Sequence, residues 1–565
     1  MGRRTLPALL LAGAFLAALA IPFARGADLC RVLAVLSGSL AVAAGAAAVG
    51  AAAIGAAMGA AIDRRLGDLE RWLSPRRAAI LLAAAILAYT AFWTAFSILR
   101  HEGLNSSGFD LAIQHQVVWN LAHGRGYESS IEVSNYLGDH VALTLPLFAP
   151  LLWIHDDVRM LLFGQSLALA LAAWPVYRIA RRRGIRRIEA LLWGAVYLLT
   201  PAVGFMNKYD FHDLVLAVPF LLFAIDGLEG GRLARASLFL LLAAATREEV
   251  GLAVAALGVW VAIARRRRAF GLGWAAGALV WAVVALYVVI PHFRGGASSD
   301  TLARYGWLGG EPGEILRTLV TRPWTLFATH YHRVRRAVFP LQLLWPYAGL
   351  PLFAIGRLLP ALPNLGLSLA SSAISQNSIY FQYNAPILPF FLWAGIAGSQ
   401  KIAARGASSR GWAAAALLFG VLTANVADPA AWKDVPRPYT IVDGIRPRPN
   451  REAFAALASA IPAGADLLAS NDLAPHFSER RSLHVFHTQR PNPQAEWAIL
   501  DLTDRRHIQS AEEMARELQR MVREEGYGVL ACRKGIVVLR RGQPSDPDAL
   551  AGLRDALRAD GLPAP

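Results

Sequence analysis

Long apolar runs recur along this chain, and short polar junctions of two kinds separate them. A helix crosses a bilayer with roughly 20 apolar residues. On that measure the pattern predicts about thirteen spans, at 5–23, 32–62, 78–98, 158–179, 188–206, 212–226, 236–246, 250–264, 270–291, 337–359, 361–373, 380–398 and 411–427. Several are short, and 236–246 with 250–264 reads as two half-helices meeting at a polar break. The apolar stretch 141–154 contains Pro146 and Pro150 and is too short to span, so it reads as an interfacial or re-entrant helix. The Ala/Gly-rich run 32–62 carries Gly55-xxx-Gly59, which would permit close helix contact.

The first kind of junction is packed with arginine: Arg64/Arg65, Arg76/Arg77, Arg181–Arg183 with Arg186/Arg187, and Arg265–Arg268. Arginine marks the cytoplasmic side of a membrane. The second kind carries acids and histidines: Phe109-Asp110, Gly138-Asp139-His140, Asp210-Phe211-His212-Asp213 and Arg247-Glu248-Glu249. An odd number of spans with the N-terminus inside places these groups, the loops 99–157 and 292–336, and the C-terminus outside. The expected location is the bacterial cytoplasmic membrane. Arg333, Arg335 and Arg336 fall at the end of an outside loop, against the bias, but long loops weigh little in orientation. Arg25 and Asp28 make a poor cleavage region, so the first 23 residues read as an uncleaved span.

Past 428 the pattern changes. Pro429, Pro436, Pro438, Pro447 and Pro449 mark a linker. Short β-like runs follow at Asp466–Ser470, Ser482–Phe486, Trp497–Leu502, Tyr527–Cys532 and Gly535–Arg541, with helical spacing over Ala511–Glu525. The expected architecture is a polytopic α-helical membrane protein with a small C-terminal α/β extracytoplasmic domain. Its parts are an accessory hairpin at 1–77, a membrane module at 78–427, and the outer domain at 428–565, ending in a flexible tail or loose helix.

Composition narrows the function classes. Of 565 residues 55% are hydrophobic, which excludes an ordinary soluble multidomain protein. The net charge of +16 resides mostly in the arginine-rich loops, where orientation and anionic headgroups account for it. No basic patch interleaves with aromatics, so no nucleic-acid partner is expected. Cys30 and Cys532 give neither metal spacing nor a disulfide framework. No Walker motif, nucleophile elbow or HExxH appears.

The polar junctions supply the candidate chemistry. Asp110 near the outer interface can serve as a general base on an acceptor hydroxyl, or bind a divalent cation; equally it can cap the helical stretch Leu111–Leu121. In Asp139-His140, a candidate substrate-binding pair, the carboxylate can orient the imidazole or both can ligate metal; otherwise they form a loop turn with a surface histidine. Lys208 with Asp210, His212 and Asp213 can hold phosphate or, through Asp and His, a metal; otherwise they are solvated loop residues. Arg247, Glu248 and Glu249 interrupt an apolar run, where an ionisable group is costly. The arginine suits a phosphate, or the three form an internal ion pair at a broken helix. His292, His330 and His332 in the second outer loop form too common a pattern to assign.

The strings FDLAIQHQVVWNLAHGRG, NYLGDH, APLLWI, GQSLALALAAWPVYRIARRRG, YDFHDLVLAVPFLLFAIDGL, AAATREEVGLAVA and SNDLAPHFSERRSLHVF, in order over roughly 80–500, resemble the bacterial membrane family DUF2079. That family is similar to the GT-C class of membrane glycosyltransferases, which use polyprenyl-phosphate sugars and place an acid in the first large outer loop. The resemblance implies that Asp110 is the catalytic acid position. It implies that Asp210, His212 and Arg247–Glu249 line the donor and metal region, with a divalent cation, Mg or Mn, and a polyprenyl-phosphate-linked sugar as partners. The GT-C loop often pairs two acids; here Phe109-Asp110 has no second acid beside it, and Asp139 is the candidate partner. Two other classes fit the same features: a transporter or flippase for a lipid-linked substrate, which broken helices and intramembrane charges suit, and a non-catalytic assembly protein acting through its outer domain.

Overall fold

The structure is a computed structural model. It describes residues 51–297, 300–310, 312–328, 333–426, 444–488, 492–504, 508, 510–559, 561–562 and 564. The expected span at 5–23, the first part of 32–62, Cys30, His330 and His332 lie outside the described residues.

Helices dominate up to residue 426. Among the described residues three are long and apolar enough to cross a membrane: Pro75–Glu102, Arg159–Arg182 and Arg268–Phe293. Two bent pairs raise the number to five, Arg187–Leu199 with Pro201–Lys208 at 41° and Arg335–Tyr347 with Leu350–Arg357 at 108°. On length and composition the described residues therefore carry three to five such spans. Proline breaks the runs: Pro201 opens the second half of the first pair, and Pro346 and Pro351 sit at the sharp bend of the second. Leu233–Ala244 and Val250–Ala264 are 12 and 15 residues long, and Thr246–Glu249 break the helix between them.

Local chemistry sets the helix ends. Ser74 accepts a hydrogen bond from the Arg77 amide at 3.2 Å, and Pro75 takes the first helical position, where its missing N–H costs nothing. The helix Ala51–Trp72 packs along Ala407–Val426, where Gly411 lies against the Gly59 backbone too closely for a side chain. The arginine junctions are internally paired as well as basic. Buried Asp226 takes Arg182 at 2.8 Å, Arg178 at 3.3 Å and Arg235 at 3.7 Å.

The stretch read as interfacial forms a tight turn at Leu145–Phe148 and a short helix at Ala149–Ile154. Phe148 and Leu151 press against Gly164 of the Arg159–Leu171 helix. The opposite face leaves Leu147, Trp153 and Ile154 exposed.

The C-terminal domain is a five-stranded sheet of order β2-β1-β3-β5-β4, with β1 Leu467–Ala469, β2 Leu483–Val485, β3 Trp497–Asp501, β4 Tyr527–Arg533 and β5 Ile536–Arg541. β1 runs parallel to β2 and β3, and β5 antiparallel to β3 and β4. The β4–β5 turn falls at Lys534-Gly535, both with positive φ, the geometry a two-residue hairpin requires. Helix Ala511–Arg523 covers one face, as its spacing predicts. The final segment departs from a flexible tail. Pro547–Ala559 is a helix whose Leu553 and Leu557 are buried in the same core, because they recur on one face at helical spacing.

Candidate active site at the outer loop

Asp110 sits in a wide helical turn, Gly108–Ala112, that leads into helix Ile113–Ala122. Asp110 does not cap this helix. Its side chain turns sideways: Oδ1 lies 3.0 Å from His212 Nε2, and Oδ2 accepts the Tyr209 hydroxyl at 3.2 Å. The Tyr209 and His212 rings stack with centroids 5.4 Å apart. His212 Nδ1 faces the Tyr209 carbonyl at 3.2 Å, so an oxygen stands at each ring nitrogen. Burial pushes the Asp110 carboxyl up, but the hydrogen bond and charge of His212, with bonds from Ser107 and Tyr209, outweigh it and hold the group at about 2. The side chain keeps 22% exposure, so the carboxylate is ionised and reachable.

Three further groups fix this corner. Asp210 adopts a left-handed backbone, φ 41°, which aims its carboxylate back at Arg100 and at the Ser107 amide, 2.9 Å away. Gln165 donates to the carbonyls of Asp210 at 2.7 Å and Met206 at 3.2 Å, and accepts from the His212 amide at 2.8 Å. Asn471 of the C-terminal domain reaches across to the turn. Its Oδ1 accepts from the amides of Gly108 at 2.9 Å and Phe109 at 3.2 Å, and from the Ser107 hydroxyl at 3.2 Å. Gly108 is required there: a Cβ would lie 2.9 Å from Val485 and 3.0 Å from Ala474.

A second polar group lies next along the chain. Arg247 grips Asp213 with two nitrogens, at 2.5 and 3.3 Å, and both side chains are buried. Glu248 holds His140 Nδ1 at 2.9 Å and the Val141 amide at 3.0 Å, and Asp139 lies 4.0 Å from the far side of that imidazole. Burial and Arg247 push His140 down, but Asp139 and Glu248 prevail and raise it. Glu249 is half-buried near Arg304, and its carbonyl accepts from Asn364 at 2.9 Å. Lys208 lies over the Phe205 ring at 5.9 Å, one residue before Tyr209.

The sequence candidates therefore gather, but into two adjoining sets: Asp110, His212 and Asp210 in one, and Asp213, Arg247, Glu248, His140 and Asp139 in the other. Their partners differ from those expected at three points. Asp210, His212 and Asp213 do not converge on one point: the left-handed backbone at Asp210 turns it to Arg100, His212 meets Asp110, and Asp213, opening a helical turn, meets Arg247. Among the described residues no three His, Cys, Asp or Glu side chains could hold a metal ion. Arg247 is committed to Asp213 rather than presented to a phosphate. The acid nearest Asp110 in electrostatic reach is Asp210, while Asp139 serves His140. Sequence reasoning passed over Arg100, Gln165, Tyr209 and Asn471. A lone arginine ending an apolar span was the signal for Arg100, and Asn471 stands in the SNDLAPHF string already singled out.

No curated protein matches the chain. Among solved structures it is similar to ArnT from Cupriavidus metallidurans bound to undecaprenyl phosphate, at 12% identity and TM-score 0.47 over 84% of this chain and 100% of that one. The same protein in the apo state gives 13% identity and TM-score 0.45 over 82% and 97%. The Archaeoglobus fulgidus oligosaccharyltransferase tethered to an acceptor peptide gives 12% identity and TM-score 0.36 over 81% and 74%. The family model described as predicted membrane protein (DUF2079) matches residues 100–538, from the end of the first long helix to strand β5, and the chain belongs to that family.

Proposed function

We propose that this protein is a membrane glycosyltransferase that moves a sugar from a polyprenyl-phosphate carrier to an acceptor hydroxyl on the extracytoplasmic face of the bacterial cytoplasmic membrane. The observation that carries this reading is the Asp110 carboxylate, ionised and partly exposed, held by His212 and Tyr209 beside the ends of apolar helices. An acceptor O–H gives its proton to Asp110 as its oxygen bonds to the sugar C1. The bond from C1 to the phosphate oxygen breaks, and its electron pair leaves on the carrier phosphate. Both His212 nitrogens face oxygens of Asp110 and Tyr209, whereas Asp110 keeps an exposed edge, so Asp110 takes the proton. Lys208, at the same corner, balances the leaving phosphate. The ion-paired Asp210, His212 and Asp213 do not fit a protein-held cation, and no step here runs through one.

Asp110→Asn keeps the shape and removes the base, and loss of a general base costs about 10²–10⁴ in rate. Expressed in a deletion strain of the native host, the variant is expected to accumulate in the membrane yet leave the strain's altered glycan or lipid-sugar profile uncorrected. Full restoration would sink the reading. A second reading, a flippase for a lipid-linked substrate, draws on the helix break at Thr246–Glu249. Reconstituted protein that moves lipid-sugar across vesicles with no covalent transfer would favour it.

A further inference from the structure

The far end of helix Val250–Ala264 from the acidic groups carries a different cluster, about 22 Å away at 1.5 Å per residue over 15 residues. Glu229 Oε1 accepts from Arg183 at 3.1 Å, Arg265 at 2.9 Å and the Trp393 indole at 2.8 Å. Arg357 stands beside them over the rings of Trp393 at 5.3 Å and Trp260 at 5.8 Å, and Arg183, Arg265 and Glu229 are its charged neighbours. Among the described residues Arg357 has no carboxylate of its own, and its Nε, like that of Arg183, is buried without a hydrogen-bond partner. Three guanidinium groups against one carboxylate leave a surplus of two positive charges. Helix C-termini that meet here, at Arg182, Glu229 and Ala264, offset part of that surplus by their dipoles. They give no partner to the bare donors.

Next to the cluster the surface is apolar and outward-facing: Val259, Ile263 and Ile355 are 44, 74 and 64% exposed. Charge and grease are thus adjacent on one outer wall, as a phospholipid presents them.

We infer that Arg357, Arg265 and Arg183 form a binding site for the phosphate of an anionic phospholipid, with the acyl chains lying along Val259, Ile263 and Ile355. On the orientation the arginine junctions imply, this is the cytoplasmic leaflet. Arginine forks match phosphate oxygens two at a time, and the two tryptophans hold the Arg357 plane in place. The site is independent of the proposed transfer chemistry.

The full-length protein in detergent is titrated with phosphatidylglycerol mixed micelles, with phosphatidylcholine micelles and with inorganic phosphate, and bound lipid is read by native mass spectrometry. Phosphatidylglycerol is expected to be retained and phosphatidylcholine to be lost, with inorganic phosphate unable to compete. Arg357→Gln and Arg265→Gln should each weaken phosphatidylglycerol binding about tenfold, the loss of one charge-assisted contact. Arg267→Gln, an exposed neighbour, should leave it unchanged. Equal retention of the two lipids, displacement by inorganic phosphate alone, or equal loss in Arg267→Gln would overturn the inference. Should Arg357→Gln fail to accumulate, the lipid preference of the unaltered protein and the Arg265→Gln titration still decide the matter.

Discussion

The main-chain carbonyl of Asn471 accepts the Gly108 amide at 2.6 Å, and the side-chain oxygen of the same asparagine lies 2.9 Å from that amide. A residue of the outer domain therefore sets the turn that presents Asp110, two residues further on. His115 and Gln116 extend the seam, to Ser478 at 2.8 Å and the Arg480 carbonyl at 3.0 Å.

Asn471→Ala would strip the side-chain acceptor from Phe109 and Ser107 while the main-chain bond to Gly108 persists. The net loss of such hydrogen bonds costs about 0.5–1.5 kcal/mol each. The variant is expected to remain folded in the membrane but to complement a deletion strain poorly, in the same direction as Asp110→Asn. Complementation equal to the unaltered protein would show that the domain does not control the turn.

The Arg247–Asp213 pair makes a separate prediction. Both side chains are buried, at 4 and 0% exposure, so removing one partner strands the other charge. Arg247→Leu or Asp213→Leu alone should destabilise the protein by about 3–5 kcal/mol, and the double variant should recover most of that loss. Melting in detergent measures it. Single Arg247 variants as stable as the parent would mean that the guanidinium is held for a ligand instead.

Acid should loosen the seam between the loop and the outer domain. Burial lowers His115 to about 3 and His476 to about 4, with Arg451 adding to the second and Asp157 opposing both. In each ring Nε2 is buried without a partner. The folded protein thus keeps these rings neutral, while an unfolded chain takes up protons near pH 6.5. The stability they permit is present in full above that pH. It falls between about 6.5 and 4, by about 1.4 kcal/mol per pH unit per group. His476→Phe keeps the ring stacked on His101, where centroids are 4.0 Å apart, and removes one titration. Its melting temperature should fall less steeply on acidification; an unchanged slope would show that His476 is not the group responsible.

Hydropathy along the chain fixes which stretches avoid water and which do not. Apolar runs, arginine junctions and the short β-like runs of β3 and β5 act over a few neighbouring residues, so most helices, the C-terminal sheet and the acids and histidines of the acidic corner were legible. Partnership was not. Neighbours His212 and Asp213 face different parts of the fold because the extended backbone at His212 turns the two side chains apart, and only packing settles that one meets Asp110 and the other Arg247. The C-terminal segment read as a flexible tail or loose helix because its apolar face has meaning only once the sheet is there to cover it. Contacts separated by hundreds of residues, such as Asn471 with Gly108, depend on chain reversals whose cost and direction no local pattern encodes.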